Sequence, residues 1–169
     1  MDARAAAERA IIADMSKPIA FDPLALPESN ATSYPAKFRA DNQSRWNRRL
    51  GDHAGLSNFG VNLTRIVPGG QSSARHAHSK QDEFIYVLAG TPTLVTDHGE
   101  AQLGPGWCAG FRAGGAAHQL VNRTTGEVEF LEIGDRTAGD QGTFPADDLK
   151  AVIGADGQWV FTHKDGTPY

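Results

Sequence analysis

Two histidines separated by a single residue are followed by a glutamate in the segment "GGQSSARHAHSKQDEFIYVLAG", residues 69–90. Successive side chains of a β-strand point to opposite faces, so His76 and His78 would share a face and Ala77 would point away. Imidazole nitrogens and carboxylate oxygens are common ligands of divalent transition metals. The segment therefore predicts a metal site at His76, His78 and Glu83. The alternative is that these polar residues lie in turns around an apolar strand.

A third histidine stands in a comparable setting further along the chain. His118 opens the segment "HQLVN" after the glycine-containing "RAGGAA". In a small barrel, inward-facing side chains of different strands share one interior and can converge there. Three neutral imidazoles and one carboxylate would leave a divalent ion positively charged, with positions open to water or substrate at coordination number five or six. His118 is thus the predicted fourth ligand.

The elements that must position these residues are short strands. Nineteen glycines and nine prolines recur between short apolar runs, a composition typical of strands joined by tight turns. About eight such runs follow Phe59, which predicts an antiparallel sandwich or small barrel. The segment 148–166 predicts one further hairpin, with its turn at "GADG", residues 154–157.

The chain before the strands has a different composition. Residues 3–15 are rich in alanine and predict a helix that ends before Pro18. From Pro18 to about Asn47 we expect an irregular arm that wraps the domain, because its apolar residues offer anchors that polar linkers lack. The predicted organisation is a helix and arm over residues 1–50, a barrel over 51–136, and a C-terminal hairpin packed on the barrel over 137–169.

The spacing of the four predicted ligands resembles the two motifs of the cupin superfamily. Gly70, five residues, His76-x-His78, four residues, Glu83, six residues and Gly90 meet every fixed position of the first motif. The segment "GWCAGFRAGGAAHQLVN" resembles the second motif through His118 and Asn122. It departs from that motif where Arg112 replaces the usual proline and one extra residue lies between Gly114 and His118. Alternatively, Gly115 is the matching glycine, which restores the spacing to His118 and Asn122 but shifts the upstream part. The resemblance covers residues 70–122 by motif and extends in style from about Leu50 to Arg136.

The resemblance implies an all-β fold, the double-stranded β-helix or jelly-roll cupin barrel, here with a short N-terminal helix and an irregular arm. It also implies a metal held by His76, His78, Glu83 and His118, and a homodimer. Single-domain bacterial cupins of this kind include proteins of unestablished activity. Cupins include dioxygenases, isomerases, decarboxylases and small-molecule-binding proteins, so the fold leaves the reaction open.

We therefore expect a metal-binding cupin enzyme of the dioxygenase, isomerase or decarboxylase type. Its substrate would be a small polar or carboxylate-bearing molecule, and its cofactor a divalent ion such as Fe, Mn, Ni or Zn. Glu83 would serve as a catalytic general base when it is not a metal ligand. The alternative is a non-catalytic binding module for a small ligand, with a structural metal.

Charge and composition exclude other classes. The net charge is −4 and no basic cluster is longer than "NRRL", so we expect no nucleic-acid partner. No apolar run reaches the roughly 20 residues that a membrane span needs. The single cysteine, Cys108, and the charged N-terminal segment favour a soluble protein of the cytoplasm.

Several other residues are candidates for a site or for a structural role. Arg65 and Arg75 could bind a substrate carboxylate beside the metal, although Arg75 should face away from His76. Cys108 is expected to be a small buried side chain and Asn122 to fix a turn. Three further histidines are expected to be structural or exposed: His53, His98 and His163.

Overall fold

The computed structural model describes residues 18–154 and 157–169, and this part of the chain is built mainly from antiparallel strands. The helix predicted at residues 3–15 and the middle of the turn predicted at 154–157 lie outside the described residues. The strands are β1 (Arg45–Arg49), β2 (Phe59–Ile66), β3 (Ala77–His78), β4 (Glu83–Ala89), β5 (Thr93–Thr96), β6 (Gly99–Gln102), β7 (Cys108–Phe111), β8 (His118–Val121), β9 (Val128–Asp135), β10 (Gln141–Phe144), β11 (Leu149–Ile153) and β12 (Trp159–Thr162).

Within residues 18–154 and 157–169, helical structure is limited to short turns. Two α-helices, α1 (Ala36–Arg39) and α2 (Leu50–Ala54), and two 3-10 turns, Pro23–Ala25 and Ala40–Asn42, flank the first strand. Gly55 ends α2 in the left-handed conformation, with φ at 76°, which glycine adopts without strain. Within the described residues, no helix has the length and apolar character needed to cross a membrane.

The strands form two facing layers. One layer is a sheet in the order β1-β2-β9-β4-β7, and the other contains the groups β12-β11-β10-β3 and β6-β5-β8. An isolated antiparallel bridge between His76 and His118 joins these two groups. Two facing antiparallel layers are the architecture of a double-stranded β-helix, so the predicted fold class is confirmed.

Side chains from both layers fill the interior. Ile85, Val87 and Phe130 come from the five-stranded sheet and pack against Leu103 and Leu120 of the other layer. Full burial of each such side chain stabilises the fold by roughly 1.5–3 kcal/mol. A second apolar cluster contains Phe38 and Phe144, and Tyr34 packs against it. The arm is therefore anchored to the barrel by its aromatic residues.

Two strands were not predicted from the sequence. β1 has the sequence Arg-Trp-Asn-Arg-Arg, which shows little apolar alternation, and it lies at the edge of its sheet, where it pairs with β2. β10 has four residues with Gly142 at its second position, yet it links β11 to β3. Both extend the layers beyond the eight strands that apolar runs indicated.

Candidate metal centre

Main-chain pairing sets the positions of the histidines. The His76 N–H donates to the His118 carbonyl at 3.1 Å, and the His118 N–H donates to the His76 carbonyl at 2.8 Å. Two residues later His78 belongs to β3, where it pairs with Gly142 of β10. Alternation along this segment brings His76 and His78 to one side, as predicted, and their Nε2 atoms lie 3.1 Å apart.

Glu83 reaches the histidines from the opposite layer. It is the first residue of β4, and its Oε2 atom lies 2.9 Å from His118 Nε2. The same oxygen is 3.5 Å from His78 Nε2 and 3.8 Å from His76 Nε2. The structure thus brings together all four residues that the sequence singled out, and we call them the His/Glu cluster.

The hydrogen bonds of the cluster fix two of the imidazole tautomers. His76 Nδ1 lies 3.0 Å from the Ala74 carbonyl, and His78 Nδ1 lies 2.5 Å from Oδ2 of Asp140. A carbonyl and an ionised carboxylate only accept hydrogen bonds, so each Nδ1 must donate. The Nε2 atoms of both rings therefore face the interior of the cluster, 3.1 Å apart.

Electrostatics keep the cluster ready to bind a cation. Burial lowers the pKa of His76 to about 4, so its ring is neutral at pH 7. Burial alone would raise the pKa of Glu83, but the hydrogen bond from His118 and the neighbouring histidines outweigh it and hold the pKa at about 2. Nδ1 of His118 is buried and has no hydrogen-bond partner in the described part of the chain.

This donor set fits a divalent transition metal. Metal–ligand bonds of about 2.0–2.2 Å place neighbouring ligand atoms about 3.0–3.4 Å apart around one ion. The closest separations in the cluster are 2.9, 3.1 and 3.5 Å. Ligand atoms of His76, Glu83 and His118 all lie within 4.8 Å of one another.

Asp140 supports the cluster and was missed in the sequence. Its side chain is 1% exposed and accepts hydrogen bonds from His78 Nδ1, Ser79 Oγ at 3.0 Å and the Lys80 N–H at 2.7 Å. Burial would raise its pKa, but these hydrogen bonds lower it below the ordinary value. Asp140 lies outside both motifs, just before β10. Only the pairing of β10 with β3 could have indicated its position.

A small cavity lies against the cluster. Its volume is about 20 Å³, and His76, Glu83, His118 and Glu132 line it together with apolar side chains. That volume accommodates roughly one water molecule. Glu132 was not singled out in the sequence, although alternation along "VEFLE" places it on the same face as Val128 and Phe130.

A larger cleft opens beside the cluster at the free edge of β7. It has a volume of about 860 Å³, and its lining includes Glu83, Phe111, Arg112 and His98. Phe111 stacks on the His118 ring with a centroid distance of 3.6 Å and an interplanar angle of 1°. Glu83 and Phe111 line both spaces. The cleft has the size of a small-molecule site.

The two arginine candidates are occupied elsewhere. Arg65 pairs with Glu28 at 2.8 Å and also with Glu127. Arg75 pairs with Asp97. Both guanidinium groups therefore pair with glutamate or aspartate side chains of this chain, and not with a substrate carboxylate as predicted for them.

Cys108 corrects one expectation, because its side chain is exposed. It lies on the edge strand β7 opposite Tyr86, on the outer face of the sheet, and Ala109 and Phe111 point inward instead. Asn122 is fully buried, as a turn-fixing residue should be. Its amide donates to the carbonyls of Ile66 at 3.0 Å and Gly126 at 2.7 Å.

The remaining histidines lie outside the cluster. His53 contacts the Phe21 ring edge-on, with centroids 4.6 Å apart. His98 is exposed in the turn between β5 and β6. His163 Nδ1 lies 2.7 Å from Oδ2 of Asp148. His53 and His163 thus have the structural or exposed role expected from the sequence, and His98, exposed as expected, also lines the cleft.

A double-stranded β-helix with a His-x-His, Glu and His cluster between its layers defines the cupin class of proteins. The family model for the cupin domain matches residues 62–134. One solved relative is 42% identical in sequence to this chain, in an alignment that covers nearly the whole of both chains. The chain belongs to the cupin superfamily.

Solved structures give more detailed likenesses. A sugar phosphate isomerase of the cupin superfamily from Silicibacter pomeroyi is 42% identical, with a TM-score of 0.84, covering 89% of this chain and 96% of that one. A candidate sugar phosphate isomerase from Acidithiobacillus ferrooxidans is 31% identical, with a TM-score of 0.66, covering 74% and 80%. The polyketide cyclase RemF from Streptomyces resistomycificus, 23% identical over 69% and 78% with a TM-score of 0.58, shares the fold. The comparison with curated proteins found no match.

Proposed function

We propose that the protein is a metal-dependent isomerase of a phosphorylated sugar. The observation that supports this most strongly is the convergence of four metal-type donors beside a cleft of about 860 Å³. The chain is also similar over 89% of its length to a sugar phosphate isomerase. For the predicted metal-dependent enzyme of a small polar molecule, we therefore propose isomerisation as the reaction.

His76, His78, Glu83 and His118 would hold the metal. A bound divalent ion would polarise hydroxyl and carbonyl oxygens of a sugar and stabilise negative charge that develops on them. Asp140 and the Ala74 carbonyl keep the Nε2 atoms of His78 and His76 aimed into the cluster. The low pKa of Glu83, about 2, makes it a weak base, which favours the role of ligand over that of general base.

The cleft offers groups for the rest of a sugar phosphate. Arg112 and His98 line it and supply donors that suit a phosphate group. Phe111 and Leu94 add apolar surface against which a sugar ring can pack. The reacting end would lie toward Glu83, which the cleft shares with the small cavity.

Turnover after metal reconstitution tests this proposal. The protein would be stripped with a chelator, reloaded separately with Fe(II), Mn(II), Ni(II) or Zn(II), and incubated with pentose and hexose phosphates. We expect at least one metal to support aldose–ketose interconversion, followed by NMR, and His118→Ala to abolish it. Absence of turnover for every metal and every sugar phosphate would contradict the proposal.

The second candidate is a non-catalytic binding module with a structural metal. The small cavity favours it, because about 20 Å³ beside the donors leaves room for little more than one water molecule. A binding module would show higher melting temperatures with sugar phosphates, and no conversion of them. The same reconstituted samples therefore separate the two candidates.

We also propose that the protein is a cytoplasmic homodimer. The outer face of the five-stranded sheet exposes a row of apolar side chains, Phe84, Tyr86 and Leu88 of β4, with Trp107 beside it. Such a contiguous apolar row is a suitable interface between two copies. Light scattering should give twice the chain mass of 18.1 kDa, and Tyr86→Lys should shift it toward the monomer. A monomeric wild-type protein would contradict this proposal.

A further inference from the structure

Glu132 faces the His/Glu cluster from the middle of β9. Val128 and Phe130 precede it on the inward face of that strand, and both are buried in the core. Glu132 then lines the small cavity together with His76, Glu83 and His118. An ionisable side chain thus occupies an inward position that an apolar residue would fill if packing were its only role.

Neighbouring strands hold the Glu132 carboxylate in place. Thr64 Oγ1 of β2 donates to Oε2 at 2.9 Å, and Arg45 of β1 donates to Oε1 at 3.3 Å. The side chain is 20% exposed. Each carboxylate oxygen has a further lone pair that these contacts leave unused. Glu132 is therefore oriented and still able to accept a proton.

The two inward carboxylates have different partners. Glu83 Oε2 is 2.9 Å from His118 Nε2 and within 3.8 Å of the other two histidines. Glu132 has no hydrogen bond to any member of the His/Glu cluster among the described residues, and Ile85, not Glu83, is its register partner on β4. A reaction that needs both a metal ligand and a proton carrier would therefore use Glu83 for the first and Glu132 for the second.

We propose that Glu132 is a catalytic carboxylate that transfers the hydroxyl proton of the substrate. This inference rests on the proposed isomerase function. In an aldose–ketose interconversion, the hydrogen on C2 moves to C1 and the proton on O2 moves to O1. The C2 hydrogen moves to C1 with its bonding electron pair, the pair of the broken O2–H bond becomes the π bond of the new C2=O group, and the former C1=O π pair forms the new O1–H bond. Substrate and product are isomers, so no oxidant or reductant is needed.

Glu132 takes the proton from O2 and delivers it to O1, and its carboxylate is regenerated. The position of Glu132 supports this assignment, because it lines the small cavity together with Glu83, which also lines the cleft. The carbon-bound hydrogen passes directly from C2 to C1, so Glu132 is the one proton carrier that this step requires.

Glu132→Gln tests the proposal in metal-loaded protein. The amide keeps the shape of the side chain but cannot carry the proton. We expect kcat for the sugar phosphates to fall by about 10²- to 10⁴-fold, the effect of a general acid–base group. KM should stay within about threefold of wild type, since ground-state binding is unchanged. Metal content and melting temperature should remain those of wild type, and Glu132→Asp should recover part of kcat.

Glu129→Gln is the matched control, because Glu129 is on the same strand, faces outward and pairs in register with Arg65. Its kcat should equal that of wild type. Wild-type kcat in Glu132→Gln would overturn the proposal and leave the isomerase function standing. Absence of turnover in wild type would overturn both.

If Glu132→Gln does not fold, Thr64→Val provides the test. It removes one hydrogen bond to the carboxylate, and kcat should fall by roughly tenfold at unchanged metal content. Wild-type kcat in Thr64→Val would then overturn the proposal.

Discussion

His76 and His118 lie directly opposite each other across an antiparallel bridge, and each donates its backbone N–H to the carbonyl of the other, at 3.1 and 2.8 Å. Two of the four donors are therefore positioned by main-chain bonds between strands. The same bridge joins the two strand groups of one layer. The strand pairing that builds the barrel thus also positions the His/Glu cluster, which favours a preorganised site.

Asp140→Asn should weaken metal binding. Asp140 accepts the Nδ1–H of His78 and so holds the ring with Nε2 facing the cluster. Loss of such an outer partner typically lowers metal affinity by about 10- to 100-fold. Chelator competition would measure the change.

Asp148→Asn is the matched control for Asp140→Asn, because Asp148 holds His163 in the same way, at 2.7 Å, outside the cluster. It should leave metal affinity unchanged. Equal affinities in wild type and Asp140→Asn would show that this carboxylate does not orient a metal ligand.

Acid should destabilise the metal-free protein. Burial lowers the pKa of His76 from 6.5 to about 4, so between these values the unfolded chain binds a proton that the folded protein does not. The free energy of unfolding should fall by about 3 kcal/mol as the pH falls from 6.5 to 4. Urea unfolding at several pH values would measure this loss, and His76→Leu should remove it. The same loss in His76→Leu would contradict the assignment to His76.

Protonation of Glu83 should cause a second loss of stability at lower pH. Burial alone would raise its pKa, but the histidines hold it at about 2, below the ordinary 4.5. Its stabilising contribution is therefore complete above pH 4.5 and is lost as the pH falls toward 2. In the same urea series, Glu83→Gln should show a smaller loss of stability below pH 4.5 than wild type. Equal losses would assign that step to other carboxylates.

Asn122→Ala should reduce stability without removing the metal ligands. The substitution removes the amide that donates to the carbonyls of Ile66 and Gly126 and the side-chain oxygen that accepts the Thr124 N–H. We expect the free energy of unfolding to fall by roughly 2–4 kcal/mol. Denaturant unfolding would measure the change, and metal stoichiometry in the folded fraction should not change.

Asn30→Ala is the comparison variant, because the exposed Asn30 amide donates to the Gln43 carbonyl at 3.2 Å. It should cost no more than about 1 kcal/mol. A similar loss in both variants would contradict the turn-fixing role of Asn122.

The sequence predicted the His/Glu cluster because its spacing is local. Strand alternation relates His76 to His78, and motif spacing relates them to Glu83 and His118. Asp140 and Glu132 could not be found this way. Each reaches the cluster through a strand pairing distant in sequence, β10 with β3 and β9 with β4, and no local pattern specifies such pairings.

The same limit explains where the fold was incompletely predicted. Apolar runs predict most of the strands. In contrast, β1 and β10 have few apolar residues and are strands because they pair with neighbouring strands. Cys108 was expected inside because it lies between Trp107 and Ala109. The alternation of β7 instead turns it outward. One apolar run does not tell which of its faces is buried.

Metal content of freshly purified protein is the most direct test of the metal centre. Wild-type protein should contain close to one equivalent of a divalent transition metal per chain by plasma mass spectrometry. The double variant His76→Ala/His78→Ala should contain almost none, because only Glu83 and His118 remain as donors. His53→Ala/His163→Ala removes two histidines outside the cluster and should keep the full equivalent. One equivalent of metal in His76→Ala/His78→Ala would contradict the assignment of the site.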